Sequence, residues 1–96
     1  MTADRSRLSG LYAITDQTLI PERLFAEYVA AALKGGAGII QYRDKSSDKE
    51  RRLQQARLCK QLCDQHDAVF IINDDIGLCK QVGADGVHLG RDDDAF

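Results

Sequence analysis

Short apolar runs alternate with helix-like segments along this chain, and that alternation limits its possible folds more than any other feature. Each run is four or five residues long and rich in aliphatic or β-branched side chains, as in buried strands. Alternation of this kind predicts an α/β fold with parallel strands joined by right-handed helical crossovers. The runs are Leu11–Thr15, Gly38–Tyr42, Ala68–Ile72 and Gly86–Leu89.

The first predicted helix begins near Pro21, which costs little in a first turn because the N–H groups there have no helical partner. Apolar residues recur with helical spacing from Leu24 to Leu33, and Gly35 and Gly36 end the helix. A third, short helix is predicted from about Asp75 to Val82, ending at Gly83.

The second predicted helix opens at Ser47, with Glu50 three residues later in the pattern of a capping box. One face is apolar and includes Cys59 and Cys63. The basic residues are expected to form its solvated side, with little part in binding. They are Arg51, Arg52, Arg57 and Lys60.

Length and charge exclude several classes of protein. Ninety-six residues allow one small domain or a piece of a larger one. The net charge of −2, from 13 basic and 15 acidic residues, offers no basic field for nucleic acid or anionic lipid. No apolar run approaches the ~20 residues of a membrane span, and the N-terminus lacks the apolar stretch of a signal peptide. The expected partners are therefore small molecules.

The three cysteines are an odd number without an export signal, which favours reduced thiols and a cytoplasmic location. Cys59 and Cys63 lie four residues apart, so they share a helix face. We expect packing thiols there rather than metal ligands, because His66 is the only further candidate ligand nearby. The roles of Cys79 and His88 stay open at this stage.

Unusual polar residues follow the carboxyl end of every predicted strand, whereas the turns into the second and fourth strands are plain Gly-Ala pairs. Parallel βα folds bind ligands beyond the carboxyl ends of their strands. Gln41, Arg43 and Lys45 have the same parity and point to one side while the chain is extended. Two cations suit a polyanion, and acids at neighbouring strand ends suit Mg²⁺, so the pattern is typical of a Mg²⁺-diphosphate site. Surface ion pairs and helix caps are the alternative.

Four motifs in order resemble the first half of thiamin phosphate synthase: GLYAITD, GAGIIQYRDK, FIINDD and GADGVHLGRDD, covering Gly10 to Asp93. The resemblance implies the N-terminal half of a (β/α)8 barrel, with residues 1–96 as a single truncated domain. It implies a transferase that joins hydroxymethylpyrimidine diphosphate to thiazole phosphate, releasing pyrophosphate and giving thiamin phosphate. The family mechanism is dissociative, with diphosphate leaving before the thiazole nitrogen attacks.

The resemblance also implies site residues. Mg²⁺ would be carried by Asp74 and Asp93, and Arg43 and Lys45 would act catalytically on the phosphates. Residues implied to bind the pyrimidine diphosphate are Gln41, Tyr42, Arg43, Asp44, Lys45 and Asn73.

The chain differs from the family in being much shorter, because an eight-unit barrel needs ~200–250 residues. We therefore expect a truncated chain with half an active site and negligible turnover by itself. Its open strand edges and half-lined concave face favour a homodimer or higher oligomer. Two other functions stay open: a non-catalytic relative that binds thiazole phosphates, and an inactive fragment that self-associates.

Overall fold

The computed structural model describes residues 11–89, which form one parallel sheet covered by helices. Four strands and three α-helices alternate, and a short 3-10 turn at Glu22–Leu24 precedes the first helix. The strands are β1 (Leu11–Asp16), β2 (Ala37–Arg43), β3 (Val69–Asn73) and β4 (Gly86–His88). The helices are α1 (Phe25–Lys34), α2 (Lys49–Gln65) and α3 (Ile76–Val82).

The strands lie side by side in the order of the sequence, β1-β2-β3-β4, and every neighbouring pair is parallel. Thr15 lies opposite Tyr42, and Tyr42 lies opposite Ile72. Consecutive parallel neighbours joined through helices are the arrangement of successive units in a (β/α)8 barrel. The predicted fold class, four parallel strands and three helices in an α/β fold, is confirmed.

The core lies between the sheet and the helices. Alternate residues of β2 and β3 face the helices and are buried, because successive side chains of a strand point to opposite faces. Phe25 of α1 packs edge-on against Tyr42, with ring centroids 5.8 Å apart. The other apolar residues of this core are Val29, Leu33, Ala37, Ile40, Ala56, Cys59, Cys63, Ala68, Phe70, Ile72 and Leu78. The expectation that Cys59 and Cys63 pack in the interior is confirmed.

The opposite face of the sheet lacks a helical cover among residues 11–89 and exposes apolar side chains on β1. Tyr12 is 50% exposed and Ile14 is 47% exposed. Leu19 and Tyr28, also exposed, border the same edge of the sheet. In the described part of the chain, no helix is long and apolar enough to cross a membrane.

The helix ends agree with the sequence-based predictions, with one exception. The predicted capping box of Ser47 and Glu50 is wrong, because Asp48 is the N-cap of α2 and accepts a hydrogen bond from the Arg51 N–H at 3.0 Å. An aspartate satisfies the same unpaired N–H groups as a serine, one residue later. Gly83 ends α3 in the left-handed region, at φ 74°, as its position predicted.

Candidate functional site

The carboxyl ends of β2 and β3 bring five predicted site residues to one edge of the sheet. We call Gln41, Arg43, Lys45, Asn73 and Asp74 the rim. β2 and β3 are direct neighbours, so the segments that follow them meet. Lys45 Nζ lies 3.1 Å from Asp74 Oδ2, which joins a cation of one motif to an acid of the other. The sequence separation of these two residues is 29, so only the fold makes them partners.

Gln41 and Arg43 lie on the helix-free face of β2. Gln41 is buried, and its Nε2 donates to the Tyr12 hydroxyl at 2.5 Å. The Arg43 side chain is 44% exposed, with Nε 3.9 Å from Asp16 Oδ2. Hydrogen bonds from Thr18 and the Arg43 charge lower the pKa of Asp16. Arg43 is thus a solvent-accessible cation with a weak carboxylate partner, free to reach an anionic ligand.

Tyr42 and Asp44 point the other way, into the helix layer. The Tyr42 hydroxyl lies 2.7 Å from Gln55 Oε1 and 3.3 Å from Asp44 Oδ2, and its single proton serves one of them at a time. The Asp44 side chain is fully buried. Substrate binding by Tyr42 and Asp44 stays a prediction, and in this structure both side chains are engaged behind the sheet.

Asp44 is ionised although it is buried, because donors surround it. Arg51 donates from Nε at 3.2 Å and from Nη2 at 3.0 Å to Asp44 Oδ2. The Ser46 N–H donates to Asp44 Oδ1 at 2.8 Å. Burial alone would raise the pKa of Asp44, but the hydrogen bonds from Ser46 and Arg51 outweigh it and keep that pKa below 3.8.

The β3 end carries Asn73 and Asp74 in a strained turn. Asp74 has φ 60°, in the left-handed region that aspartate tolerates better than most side chains. Its N–H donates to the His88 carbonyl at 2.8 Å, and Asn73 Nδ2 donates to Asp74 Oδ2 at 3.0 Å. His88 Nδ1 lies 3.4 Å from Asn73 Oδ1. His88 therefore contacts a rim residue, at the edge of the site.

Asp75 is the N-cap of α3 and also forms an ion pair. Its Oδ1 accepts from the Leu78 N–H at 2.9 Å, and its Oδ2 pairs with Arg52 Nη2. The expectation that Arg51 and Arg52 belong to a solvated helix face is therefore wrong. Their side chains are only 23% and 20% exposed and reach acids of the two strand ends. Arg57 is exposed, as expected for that face.

A cavity of about 220 Å³ opens beside the rim. Its lining includes both members of the Lys45–Asp74 pair and the Arg52 side chain. Within residues 11–89, Arg52 Nε is buried without a hydrogen-bond partner. A buried donor without a partner costs roughly 1–3 kcal/mol, which other contacts of this side chain, among them its ion pair with Asp75, must offset. The remaining lining residues are Asp44, Ser46 and Asn73.

The metal assignment rests on Asp74 and Asp93, and Asp93 lies outside the described residues. Among residues 11–89, no three His, Cys, Asp or Glu side chains are grouped to hold a metal. Asp74 and Asn73 offer hard oxygen ligands, whereas the buried thiols of Cys59 and Cys63 belong to the core. Mg²⁺ needs only one or two carboxylates when a phosphate ligand completes its coordination, so the donors present fit that ion.

The sequence did contain a signal for the missed role of Arg51 and Arg52. Both lie in the first turns of α2, where the helix dipole disfavours positive charge. Two adjacent arginines there indicate acidic partners nearby. Gln17, whose Oε1 accepts from the Lys45 N–H at 3.3 Å, gave no comparable signal.

Comparisons with known proteins agree with this geometry. The chain matches the family model for thiamine monophosphate synthase over residues 11–96. It is 59% identical over 87 residues to the thiamine-phosphate synthase of Chromobacterium violaceum, covering 91% of this chain and 42% of that protein. It is 48% identical over 95 residues to the thiamine-phosphate synthase of Halorhodospira halophila, covering 99% of this chain and 44% of that protein.

Among solved structures, the chain resembles a thiamine phosphate pyrophosphorylase from Pyrococcus furiosus. The TM-score is 0.80 at 39% sequence identity, over 91% of this chain and 41% of that chain. The chain therefore spans less than half the length of each relative it matches here.

Proposed function

We propose, because the chain belongs to the thiamine monophosphate synthase family, that its rim binds the diphosphate of a pyrimidine substrate together with Mg²⁺. The reaction of the complete site would join hydroxymethylpyrimidine diphosphate to thiazole phosphate, giving thiamin phosphate and pyrophosphate. This chain would supply the part of the site built on β1 to β4. The cytoplasmic location stays a prediction.

The contact between Lys45 and Asp74 is the observation that supports this function most. Without a ligand the ammonium and the carboxylate neutralise each other at 3.1 Å. A Mg²⁺-diphosphate brings an anion for Lys45 and a cation for Asp74, so both could exchange partners without a charge being left unpaired. Neither a simple anion nor a simple cation would satisfy both groups.

Arg43 and Lys45 would stabilise the negative charge that grows on the leaving diphosphate. Arg43 is exposed on the open face, and Lys45 borders the cavity. Mg²⁺, when bound, would supply further charge stabilisation on the same phosphates. Catalysis of this kind is electrostatic and needs no nucleophile from the protein. Gln41 and Asn73 face the same side and would orient the substrate.

Tyr42 and Asp44 would contribute from behind the sheet. Their side chains are engaged in the helix layer, so we propose that their part in substrate binding is to fix the backbone that carries Arg43 and Lys45.

Calorimetry with the pyrimidine diphosphate, in Mg²⁺ and then in excess chelator, tests this function. We expect binding only with Mg²⁺, because the negative charge of the Asp74 carboxylate would repel the diphosphate when no cation lies between them. Asp74→Asn should weaken the Mg²⁺-dependent part, since asparagine also tolerates a left-handed backbone and removes only the charge. Equal affinity with and without chelator would contradict the metal assignment.

We also propose that the chain self-associates. β1 and β4 each have one strand neighbour within residues 11–89, and β1 exposes Tyr12 and Ile14 on its helix-free face. Next to β1 lies a mostly apolar groove of about 490 Å³, bordered by Leu19 and Tyr28. Open strand edges and an apolar surface favour pairing with a second copy.

A further inference from the structure

Two consecutive arginines of α2 each pair with an acid that follows a different strand. Arg51 bonds to Asp44, which follows β2, and Arg52 bonds to Asp75, which closes the turn after β3. Arg51 Nη2 also donates to Ser46 Oγ at 2.7 Å. One helical turn is thereby bonded to both segments that carry the rim.

The chemistry of the helix start makes these contacts more than incidental. Asp48 is the N-cap of α2, so Arg51 and Arg52 stand third and fourth in the helix. Cations there oppose the helix dipole, at a cost of roughly 0.3–1 kcal/mol each when exposed. Here the two side chains are only 23% and 20% exposed, and each is directed to an acid. The acidic partners explain why two arginines occupy this position.

Each paired acid is adjacent in sequence to a rim residue on which the diphosphate site depends. Asp44 lies between Arg43 and Lys45, and Asp75 directly follows Asp74. Anchoring Asp44 fixes the direction in which the chain leaves β2. Anchoring Asp75 fixes the turn in which Asp74 has its left-handed backbone.

We propose that Arg51 and Arg52 are positioning residues of the rim, acting through Asp44 and Asp75. They set the two strand ends against one rigid helix, so that Lys45 and Asp74 face the same cavity. The inference rests on the proposed function, because it assigns both arginines to the diphosphate site. Neither arginine needs to touch the phosphates for this role.

Asp75 allows the positioning role to be separated from helix capping. Its Oδ1 caps α3, and its Oδ2 pairs with Arg52. Asparagine caps helices about as well as aspartate, so Asp75→Asn keeps the cap and weakens the ion pair. Asp48→Asn is the matched control: it makes the same change in the N-cap of α2, whose side chain accepts from the Arg51 N–H.

The arginines have their own control on the same helix. Arg51→Gln and Arg52→Gln remove one guanidinium each, and Arg57→Gln makes the same change at an exposed position. Urea unfolding of each variant identifies any that fail to fold. Asp75→Asn, the mildest change, keeps the inference testable if an arginine variant does not fold.

Amide hydrogen exchange of the ligand-free chain reports on positioning directly. The Ser46 N–H is bonded to Asp44, and the Asp74 N–H is bonded to the His88 carbonyl. We expect exchange roughly tenfold faster or more at Ser46 in Arg51→Gln, and at Asp74 in Arg52→Gln and Asp75→Asn. The Leu78 N–H should stay protected in Asp75→Asn, because its cap remains.

Calorimetry with inorganic pyrophosphate, with and without Mg²⁺, reports on the site. Residues that orient the groups holding a metal or its ligand change affinity by roughly 10–100-fold when they are replaced. We expect losses of that size in Arg51→Gln, Arg52→Gln and Asp75→Asn, and changes within twofold in the two controls.

The outcomes separate this inference from the function on which it rests. The wild type could bind pyrophosphate while Arg51→Gln, Arg52→Gln and Asp75→Asn match the two controls in both amide exchange and affinity. That result would overturn the inference and leave the proposed function standing. Faster exchange spread evenly over the whole chain would also overturn it, because that pattern indicates general loss of stability. No Mg²⁺-dependent pyrophosphate binding by the wild type would overturn the proposed function, and the inference with it.

Discussion

Replacing Arg51 by alanine should destabilise the folded chain in a way that depends on pH. The change removes three hydrogen bonds, two to Asp44 and one to Ser46, and leaves the Asp44 carboxylate fully buried. Removing one partner of a buried ion pair typically costs about 3–5 kcal/mol. Asp44 keeps the Ser46 N–H, and the Arg51 side chain is 23% exposed, so water can reach part of the gap. We therefore expect about 2–4 kcal/mol at neutral pH.

The pH dependence follows from the pKa of Asp44. In the folded wild type the pKa of Asp44 is lowered from its ordinary value of 3.8. The stabilisation from the ionised carboxylate is therefore complete above the pKa of Asp44 in the unfolded chain. It is lost as pH falls through the lower pKa of the folded chain. In Arg51→Ala, only the hydrogen bonds from Ser46 still oppose burial, so the pKa of Asp44 should rise relative to the wild type. The variant can then protonate Asp44 on acidification, which relieves the buried charge. The difference between the two proteins should shrink as pH falls towards about 3.9, the ordinary pKa of an aspartate.

Urea unfolding followed by circular dichroism, from pH 7 to pH 4, measures this difference. Urea is uncharged and does not screen the ion pair. Arg57→Ala is the control, because it makes the same substitution on an exposed face of α2. A cost equal to that of Arg57→Ala would refute the reasoning. So would a cost that stays constant over the whole pH range, because the loss would then not come from an uncompensated carboxylate.

Further outcomes follow from the same contacts. Arg43→Ala should weaken diphosphate binding by roughly 1.5–3 kcal/mol, the worth of a charge-assisted hydrogen bond, whereas Arg57→Ala should change little; similar losses would indicate general electrostatics. Cys63 should resist thiol reagents at pH 8, since burial and nearby acids raise its pKa to about 12, and rapid labelling of the native chain would contradict its burial. Sedimentation of the 96-residue chain at tens of micromolar should show a dimer or larger species, and a monomer would refute self-association. A product assay on that chain should find negligible thiamin phosphate, and an ordinary enzymatic rate would show that the site is complete without further units.

Local chemistry along the chain was enough to predict the fold class, an α/β arrangement of parallel strands, whereas the half (β/α)8 barrel was implied by the family resemblance. Short runs rich in β-branched residues favour strands even before the neighbouring strands are identified. Gly83 favours a left-handed helix end because it has no Cβ. Strand-helix alternation then favours parallel pairing through helical crossovers, and the structure has it. The same regularity placed Gln41, Arg43, Asn73 and Asp74 at one edge of the sheet, because parallel strands end at the same edge.

What the sequence alone could not determine is the partner of each charge. Asp44 lies between two cations in sequence, yet its carboxylate turns behind the sheet to Arg51, because strand parity sends it to the face opposite Arg43. Lys45 meets Asp74, and Arg52 meets Asp75, across 29 and 23 residues of chain. Local propensity depends on the nearest few residues, whereas an ion pair depends on where distant segments come together. The sequence therefore determined which charges lie near the site, and the tertiary structure decided which remain accessible to a ligand and which hold the site in place.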